Sequence, residues 1–395
     1  MPLTPTRSLF AALCLSAAST APAADVLAPV LQPLVEEQVF AGAVMLVADK
    51  HHILHHEAVG FVDLADKRPM RPDTLFWIAS MTKPFAAAAL MMLVDEGRVN
   101  VNDPASDYLT EFANLRVRNP DGSLLPPAQP VLIRHLLSHT SGIRYTDTGV
   151  AEPLDALPLA RSVEIDLRNP LVTEPGTAYF YTNTGLDAAA LIVERLSGKP
   201  FDRFLQEHLL TPLGMRDTTF FPTPDQLARL AKTYTPDADK TALVETRIGH
   251  LTYPLDARHR HACPGGGLFS TASDLARFCQ MLLNGGVFES RRYLSEKSVR
   301  AMTTKQTGDA LPNHYGFGLS ASPDGSEFGH GGAHNTFMTV DHGEIRIFLI
   351  HHAGDFRDGA QPGKRFEAEV RRLYPRDADS PRLRIEGAAD TTRHP

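Results

Sequence analysis

The stretch Ile78-Ala79-Ser80-Met81-Thr82-Lys83-Pro84-Phe85 places a serine and a lysine three residues apart, directly ahead of an apolar run. Pro84 has no N–H to donate, so a helix tolerates it only within the first turn. The sequence therefore predicts a helix that begins at about Ser80 or Met81. Residues three apart lie on one helix face, so the Lys83 amine is expected beside the Ser80 hydroxyl.

This pair has the chemistry of an activated nucleophile. A serine hydroxyl reacts only when a neighbouring group takes its proton, and a lysine amine can do so. The positive end of the helix dipole would also favour negative charge at Ser80. The alternative interpretation is an N-cap serine followed by a surface lysine, although this is the only Ser-x-x-Lys pattern in the chain.

The composition is that of an ordinary globular protein: 395 residues, 43% hydrophobic and 22% charged, with a formal net charge of −7. This length suits one large domain or two packed ones. The chain has no run of Lys and Arg and no basic stretch interleaved with aromatic residues, so nucleic-acid binding is not expected.

The N-terminus has the order of a secretory signal peptide: Arg7, an apolar run over residues 9–18, and small residues at 21–24. We expect residues 1–23 to be this signal and the protein to be periplasmic or secreted. The apolar run is too short to cross a bilayer, which needs about 20 residues. No later segment is apolar over such a length, so no integral membrane span is expected in the mature chain.

Residues 24–375 are expected to form one catalytic domain, and residues 376–395 a flexible polar tail. Apolar alternation predicts a hairpin over 40–48 and 53–59, and further strands over 315–320, 337–340 and 345–351. Helical periodicity or capping predicts helices over 85–94 (closed by Gly97), over 185–196 (closed by Gly198), from Thr271 to Asn284, and around Phe366, Val370 and Leu373. Strands at both ends suggest an α/β fold: an antiparallel sheet from the N- and C-terminal parts, flanked by helices, with an all-helical lobe inserted over roughly 100–260.

A second candidate element is Tyr181-Thr182-Asn183, just ahead of the helix predicted from Gly185. A tyrosine can act as a base where a nearby cation stabilises its phenolate, and Lys83 could be that cation. Asn183 offers a donor and an acceptor, which suits it to hold the lysine amine and a substrate carbonyl. A core tyrosine followed by a turn asparagine is the ordinary alternative.

A third candidate is the glycine-rich turn Phe328-Gly329-His330-Gly331-Gly332-Ala333. Glycines allow a backbone to approach a ligand closely, and an N–H there could face a developing oxyanion together with that of Ser80. His330 could bind a carboxylate or relay a proton. A plain turn into a strand is the alternative.

These elements, in this order, resemble the three motifs of the serine β-lactamase and penicillin-binding-protein superfamily, most closely its class C-like branch with family VIII carboxylesterases and D,D-peptidases. The stretches 102–105, 133–142 and 265–274 also agree with it. The resemblance implies a β-lactamase/D,D-peptidase-like fold and an acyl-enzyme on Ser80. It further implies that Lys83 and Tyr181 share the general-base work, that Asn183, His330, Gly331 and Gly332 contact substrate, and that the N–H groups of Ser80 and Ala333 form the oxyanion hole.

Two departures from the family pattern bear on the substrate. Class C β-lactamases carry Lys-Thr-Gly where this chain has His330-Gly331-Gly332, which removes a fixed cation for a β-lactam carboxylate. The following run, residues 334–337, is bulkier than the small, glycine-bearing run of the family, and this bears on the shape of the pocket wall. A Gly-x-Ser-x-Gly elbow is absent, which argues against an α/β-hydrolase.

No metal or cofactor is expected. The histidine-rich stretches 51–57 and 259–263 are not interpreted as zinc sites. In the first of them, alternating residues of a hairpin point to opposite faces and split the cluster into two exposed pairs. Cys263 and Cys279 could form a bridge or remain inert thiols.

The sequence therefore predicts an exported serine hydrolase that acts on a small-molecule ester. Amide hydrolysis of the D,D-carboxypeptidase or D-aminopeptidase kind, with peptidoglycan peptides as one candidate substrate, is the second hypothesis, and weak β-lactamase activity is the third. A non-catalytic cell-wall or ligand-sensing module is the alternative from a different class of protein.

Overall fold

The computed structural model describes residues 25–145 and 153–375. The predicted signal peptide (1–23) and tail (376–395) lie outside the described residues. In chain order the described α-helices are Ala28–Glu36 (α1), Lys83–Asp95 (α2), Ile133–Leu137 (α3), Leu159–Asp166 (α4), Thr184–Ser197 (α5), Phe201–Leu205 (α6), Pro224–Ala228 (α7), Ala272–Leu283 (α8), Glu296–Thr303 (α9) and Pro362–Leu373 (α10).

The strands of the same ranges are Gly42–Ala48 (β1), Ile53–Asp63 (β2), Arg68–Pro69 (β3), Phe76–Trp77 (β4), Val117–Arg118 (β5), Leu124–Leu125 (β6), Thr233–Pro236 (β7), Leu243–Thr246 (β8), Phe269–Ser270 (β9), Val287–Phe288 (β10), Arg291–Arg292 (β11), Ser320–Ala321 (β12), Glu327–Gly331 (β13), Phe337–Asp341 (β14) and Glu344–Ile350 (β15).

One large sheet joins the two ends of the described chain. Its strand order is β12-β13-β14-β15-β1-β2-β3, and neighbouring strands run antiparallel. The N-terminal strand β1 pairs with the C-terminal strand β15, with Ala43 opposite Ile350 and Ala48 opposite Ile345. The prediction of a sheet assembled from both chain ends and flanked by helices is confirmed.

Strand β1 is buried on both faces, which explains its unbroken apolar sequence. Successive side chains of a strand point to opposite faces. Val44, Leu46 and Ala48 belong to the core that also contains α2 and α8. Their alternating neighbours Ala43, Met45 and Val47 pack in a second core with α1 and α10. The sheet is therefore the middle layer between two sets of helices.

Helix α1 is not among the predicted elements, although Leu27, Leu31, Leu34 and Val35 recur at helical spacing and are buried. Its first residues lack a side-chain cap of their own. The carboxylate of Glu57, on β2, instead accepts hydrogen bonds from the N–H groups of residues 26, 27 and 28 at 3.1, 2.9 and 2.8 Å. This acidic cap across the fold is invisible to local sequence reasoning.

The predicted strand over 315–320 is wrong in most of its length, because only its last residue, Ser320, lies in β12. Gly316 and Gly318 explain the difference. Gly318 has φ +76°, and a Cβ at Gly316 would lie 2.1 Å from the Met302 carbonyl oxygen. The apolar residues of this stretch are therefore those of a bend packed on α9 rather than of a strand.

The stretch over 100–260 contains α3 to α7, together with two short ladders, β5–β6 and β7–β8. Its central helix α5 packs along α2, and Gly198 ends α5 in the left-handed region at φ +71°. Across the described residues, no helix combines the length and the apolar character that a membrane span requires.

Candidate active site

The segment that carries Ser80 is a single 3-10 turn, Ala79–Thr82, which leads into α2 at Lys83. The regular α-helix thus begins slightly later than predicted, and Pro84 lies in its first turn. Ala79 has φ +46°, an uncommon conformation for a residue with a Cβ. The Thr82 hydroxyl fixes this turn: it donates to the Ala79 carbonyl at 2.6 Å and accepts from the Leu268 N–H at 3.0 Å.

Lys83 is fully buried, and its amine is held at three points. Nζ lies 3.1 Å from Ser80 Oγ, 2.7 Å from Asn183 Oδ1 and 2.6 Å from the Gly265 carbonyl oxygen. A buried lysine is rare unless its nitrogen is satisfied in this way. The structure thus brings the two residues of the opening motif together as predicted from their spacing.

Tyr181 and Asn183 reach this amine from the start of α5. Lys83 Nζ lies 4.6 Å from the centroid of the Tyr181 ring, so the amine contacts the face of the ring. The hydroxyl of Tyr181 has no hydrogen-bond partner among the described residues. Asn183 immediately precedes α5, which packs on α2. That packing brings residues 100 positions apart into one site.

Gly265 is a site residue that the sequence reasoning missed as such, although it begins the Gly265-Gly266-Gly267 run. A Cβ at this position would lie 2.6 Å from the Cβ of Asn183, so only glycine fits. Its carbonyl accepts from Lys83, and its N–H donates to Asp187 Oδ1 at 2.7 Å. Asp187, one turn into α5, is the second residue that was missed.

His330 is buried, and both of its ring nitrogens are engaged. Nδ1 lies 2.7 Å from the Gly331 carbonyl oxygen, which can only accept, so Nδ1 carries the proton. Nε2 therefore accepts from the Tyr315 hydroxyl at 3.1 Å. Burial, with a smaller contribution from Lys83, lowers the pKa of His330 to about 3. The imidazole is thus neutral at physiological pH and offers no fixed cation.

The glycine-rich turn after β13 lies directly against the segment that leads to Ser80. A Cβ on Gly332 would come within 2.6 Å of the Ile78 carbonyl oxygen, so this close approach requires glycine. The N–H of Ala333, the next residue, has no hydrogen-bond partner within the described part of the chain. It is available to an oxygen atom of a ligand.

The bulky run after Ala333 turns its large side chains into the core. His334 is buried, with its ring edge-on to Trp77 at 4.9 Å between centroids. Phe337 stacks on Phe348 at 5.6 Å. The backbone N–H of Trp77 donates a hydrogen bond to Nε2 of His351 at 2.8 Å. These side chains are buried and support the strand that leads to Ser80.

Buried histidines are unusually numerous in and around this site. Burial is the largest cause of a lowered pKa for six of them: His135, His139, His330, His334, His351 and His352. Burial acts in the opposite sense on two buried carboxyls, raising the pKa of Asp187 to about 7 and that of Asp274 to about 6. The six histidines outnumber the two carboxyls. Histidine protonation therefore decides whether the free energy of unfolding rises or falls as the pH is lowered.

Lowering the pH from 7 to 5 is expected to destabilise the fold. Below pH 6.5 the unfolded chain binds protons, whereas in the folded chain His351 and His352 stay neutral until about pH 4. The stabilisation from the buried histidines is therefore complete above pH 6.5 and declines as the pH falls. Each excess proton of the unfolded state costs about 1.4 kcal/mol per pH unit. Guanidinium unfolding at pH 7.5, 6.0 and 5.0 measures the slope.

A His334→Gln variant should show a shallower pH dependence than the wild type, because one buried histidine is removed. His52, exposed at the β1–β2 turn, provides the matched control, and His52→Gln should leave the slope unchanged. A free energy of unfolding that is constant between pH 7.5 and 5.0 would contradict this assignment.

The two cysteines of the described residues are both free and buried. Burial raises the pKa of the Cys279 thiol to about 12 and that of Cys263 well above its ordinary value. Of the two alternatives left open by the sequence, the structure therefore has unbridged, unreactive thiols.

A family model described as Beta-lactamase matches residues 27–370. Penicillin-binding protein 4* of Bacillus subtilis (strain 168) is 28% identical over 336 residues, which cover 80% of this chain and 69% of that protein. Esterase EstB of Burkholderia gladioli is 36% identical over 222 residues, which cover 53% of this chain and 54% of the esterase.

Solved structures share the fold. EstCE1, described as a hydrolase with promiscuous acyltransferase activity, superposes with a TM-score of 0.71. The sequence identity is 22%, and the match covers 88% of this chain and 96% of EstCE1. At this identity the likeness concerns the fold alone.

Proposed function

The chain belongs to the beta-lactamase family of serine hydrolases, and from that premise we propose that it is an exported, class C-like esterase. It hydrolyses small carboxylic esters with a neutral acyl group through a covalent acyl-serine on Ser80. The relatives include both an esterase and a penicillin-binding protein, so membership alone does not choose the substrate.

The proposal rests chiefly on the hydrogen bonds around the Lys83 amine. Asn183 Oδ1 and the Gly265 carbonyl oxygen can only accept, so each takes one N–H of the amine. In a neutral amine these two contacts use both N–H groups. The nitrogen lone pair then faces Ser80 Oγ, 3.1 Å away, where it can accept the hydroxyl proton.

The reaction follows from this arrangement. Ser80 Oγ attacks the ester carbonyl carbon while its proton passes to Lys83 Nζ, and the N–H groups of Ser80 and Ala333 stabilise the oxyanion. The carbon–oxygen bond to the alcohol breaks, and the alcohol leaves with the proton that Lys83 returns, either directly or through the Tyr181 hydroxyl, which gives up its own proton and takes that of Lys83 in exchange. Water then attacks the acyl-serine by the same steps and releases the acid.

The preference for a neutral acyl group is drawn from His330. At the position where a class C β-lactamase has a lysine, this chain has a buried imidazole whose two nitrogens bond Gly331 and Tyr315. It supplies neither a charge nor a free donor for a substrate carboxylate. We assign His330 to supporting the wall formed by Gly331 and Gly332, and we assign Asn183 Nδ2, which has no partner among the described residues, to the acyl carbonyl.

A second candidate is D,D-peptidase activity, and Arg144 favours it. This exposed guanidinium lies 6.0 Å from the ring of Phe180, so a cation that could bind a peptide carboxylate lies beside the segment that carries Tyr181. Comparing p-nitrophenyl butyrate, an acyl-D-alanyl-D-alanine peptide and a cephalosporin separates the substrate classes. Faster turnover of the peptide than of the ester would make D,D-peptidase activity the first candidate and esterase activity the second.

The test of the acyl-serine itself is covalent labelling. A fluorophosphonate forms a bond from phosphorus to the serine oxygen and releases fluoride, so peptide mapping by mass spectrometry identifies the nucleophile. We expect one label per chain, on Ser80. Labelling at another serine, or none in protein that hydrolyses esters, would refute the proposal. N-terminal sequencing of protein from culture supernatant and periplasm tests export, for which the expected start is near Ala24.

A further inference from the structure

Asp187 is a buried carboxylate that the proposed reaction does not use. It lies one turn into α5, yet its side chain does not cap that helix. Oδ1 instead accepts a hydrogen bond from the Gly265 N–H at 2.7 Å. This contact joins α5 to the loop of residues 265–267, which we call the glycine loop. Burying a carboxylate is costly unless a specific contact compensates for it. Here that contact is to Gly265, the residue whose carbonyl oxygen accepts a hydrogen bond from Lys83.

Gly265 links Asp187 to Lys83. Its N–H is fixed by Asp187, and its carbonyl, on the other side of the same Cα, accepts from Lys83 Nζ at 2.6 Å. Gly265 lies close against the start of α5, where a Cβ in its place would lie 2.6 Å from the Cβ of Asn183, so no larger residue fits there. The direction of the Gly265 carbonyl, and with it the direction of the amine, therefore depends on the contact with Asp187.

We propose that Asp187 is a positioning residue for catalysis, which acts through Gly265 to hold the Lys83 amine in line with Ser80. The inference rests on the function proposed above. Without the acceptor on Asp187, the glycine loop is free to turn its carbonyl away from Lys83. The amine then loses one of its two fixed acceptors, and its lone pair is no longer directed at the serine hydroxyl.

The titratable groups that face Asp187 come from four parts of the chain: Lys83 on α2, Asp166 at the end of α4, Tyr145 and Cys263. Burial raises the pKa of Asp187 to about 7, whereas the Gly265 N–H and Lys83 act in the opposite sense. An ionised carboxylate is a stronger acceptor than a carboxylic acid. The hold on Gly265 should therefore strengthen as the pH rises through 7.

The experiment measures the rate constant of fluorophosphonate labelling at Ser80 for the wild type, Asp187→Ala, Asp187→Asn and the control Asp166→Asn, from pH 5.5 to 8.5. Asp166 is the matched control because it is also a carboxyl with a raised pKa, but its described hydrogen bond is to the Thr184 hydroxyl and not to Gly265. Circular dichroism melting of each variant accompanies the kinetics.

At pH 8 we expect Asp187→Ala to label at least tenfold more slowly than the wild type and Asp187→Asn within about fivefold, because an amide oxygen can still accept the Gly265 N–H. The ratio of wild-type to Asp187→Asn rates should rise with pH through about 7 and approach one at pH 5.5. A merely structural role would give a ratio independent of pH. Asp166→Asn should label within twofold of the wild type at pH 8, because Asp187 is ionised there whether or not Asp166 is present.

Three results would overturn the inference. The first is labelling of Asp187→Ala within twofold of the wild type. The second is a wild-type to Asp187→Asn ratio that does not change with pH, and this comparison remains available if Asp187→Ala does not fold. The third is wild-type protein that is not labelled at Ser80, which refutes the proposed function as well, whereas the first two results leave that function intact.

Discussion

Replacing Ser80 by alanine is expected to lower ester hydrolysis at least a thousandfold. Ser80 Oγ is the only described hydroxyl within hydrogen-bond distance of the Lys83 amine, at 3.1 Å, so no second nucleophile is at hand. Loss of a catalytic serine typically removes several orders of magnitude in kcat, and the residual rate comes from the oxyanion hole and binding. Initial rates with p-nitrophenyl butyrate measure the effect.

The loss should be one of chemistry and not of folding. Ser80 is partly exposed and contributes one contact to Lys83, so the melting temperature of Ser80→Ala should stay close to that of the wild type. Ser273→Ala, also a partly exposed serine but on α8, serves as the matched control and should keep full activity. Ester hydrolysis by Ser80→Ala at the wild-type rate would show that Ser80 is not the nucleophile.

The second large effect is expected from Lys83→Met, which keeps an unbranched chain as long as the lysine side chain up to Cε and removes the amine. General-base catalysis contributes about 10² to 10⁴ in rate, so esterase activity and labelling of Ser80 should both fall by about a thousandfold. KM should change much less than kcat, since the amine acts on the serine and not on the ground-state ester.

Lys83→Met also tests the account of the buried amine. It leaves Asn183 Oδ1 and the Gly265 carbonyl without their donor, at a cost of about 1 to 3 kcal/mol for each buried acceptor. Burying an amine is itself unfavourable, and the variant no longer has this penalty, which offsets part of the cost. The variant should therefore remain folded with a lower melting temperature. Lys297→Met, an exposed lysine on α9, is the control. Activity of Lys83→Met within tenfold of the wild type would assign the base to another group.

The opening motif could be interpreted from the chain alone because its geometry is local. Pro84 confines the start of the helix, and a step of three residues sets Lys83 beside Ser80, as their 3.1 Å distance confirms. The strand pattern at the two ends of the chain likewise predicted the sheet, since β1 is apolar on both faces and β15 matches it. The periodicity of apolar residues and the capping of helices depend on residues that are close together in the sequence.

Long-range contacts decided the rest. Glu57 caps helix α1, which lies about 30 residues earlier in the chain. The stretch 315–320, predicted as a strand, forms a bend because Gly316 packs against Met302. His330 resembled a candidate for carboxylate binding, yet only the fold shows that Tyr315 and Gly331 occupy both its nitrogens. Whether a polar side chain faces a ligand or a neighbour is set by packing, which no local pattern records.

The sequence by itself identified the family and predicted the candidate nucleophile with a lysine beside it, because proline, helical spacing and the order of three motifs each constrain only nearby residues or their succession. Tertiary structure alone decided what surrounds that lysine. Asn183, Gly265 and Asp187 lie about 100 to 180 residues from Lys83 along the chain, and they meet it because α5 and the glycine loop pack on α2. The direction of a buried amine depends on every acceptor it touches, and those acceptors exist as a set only in the folded chain.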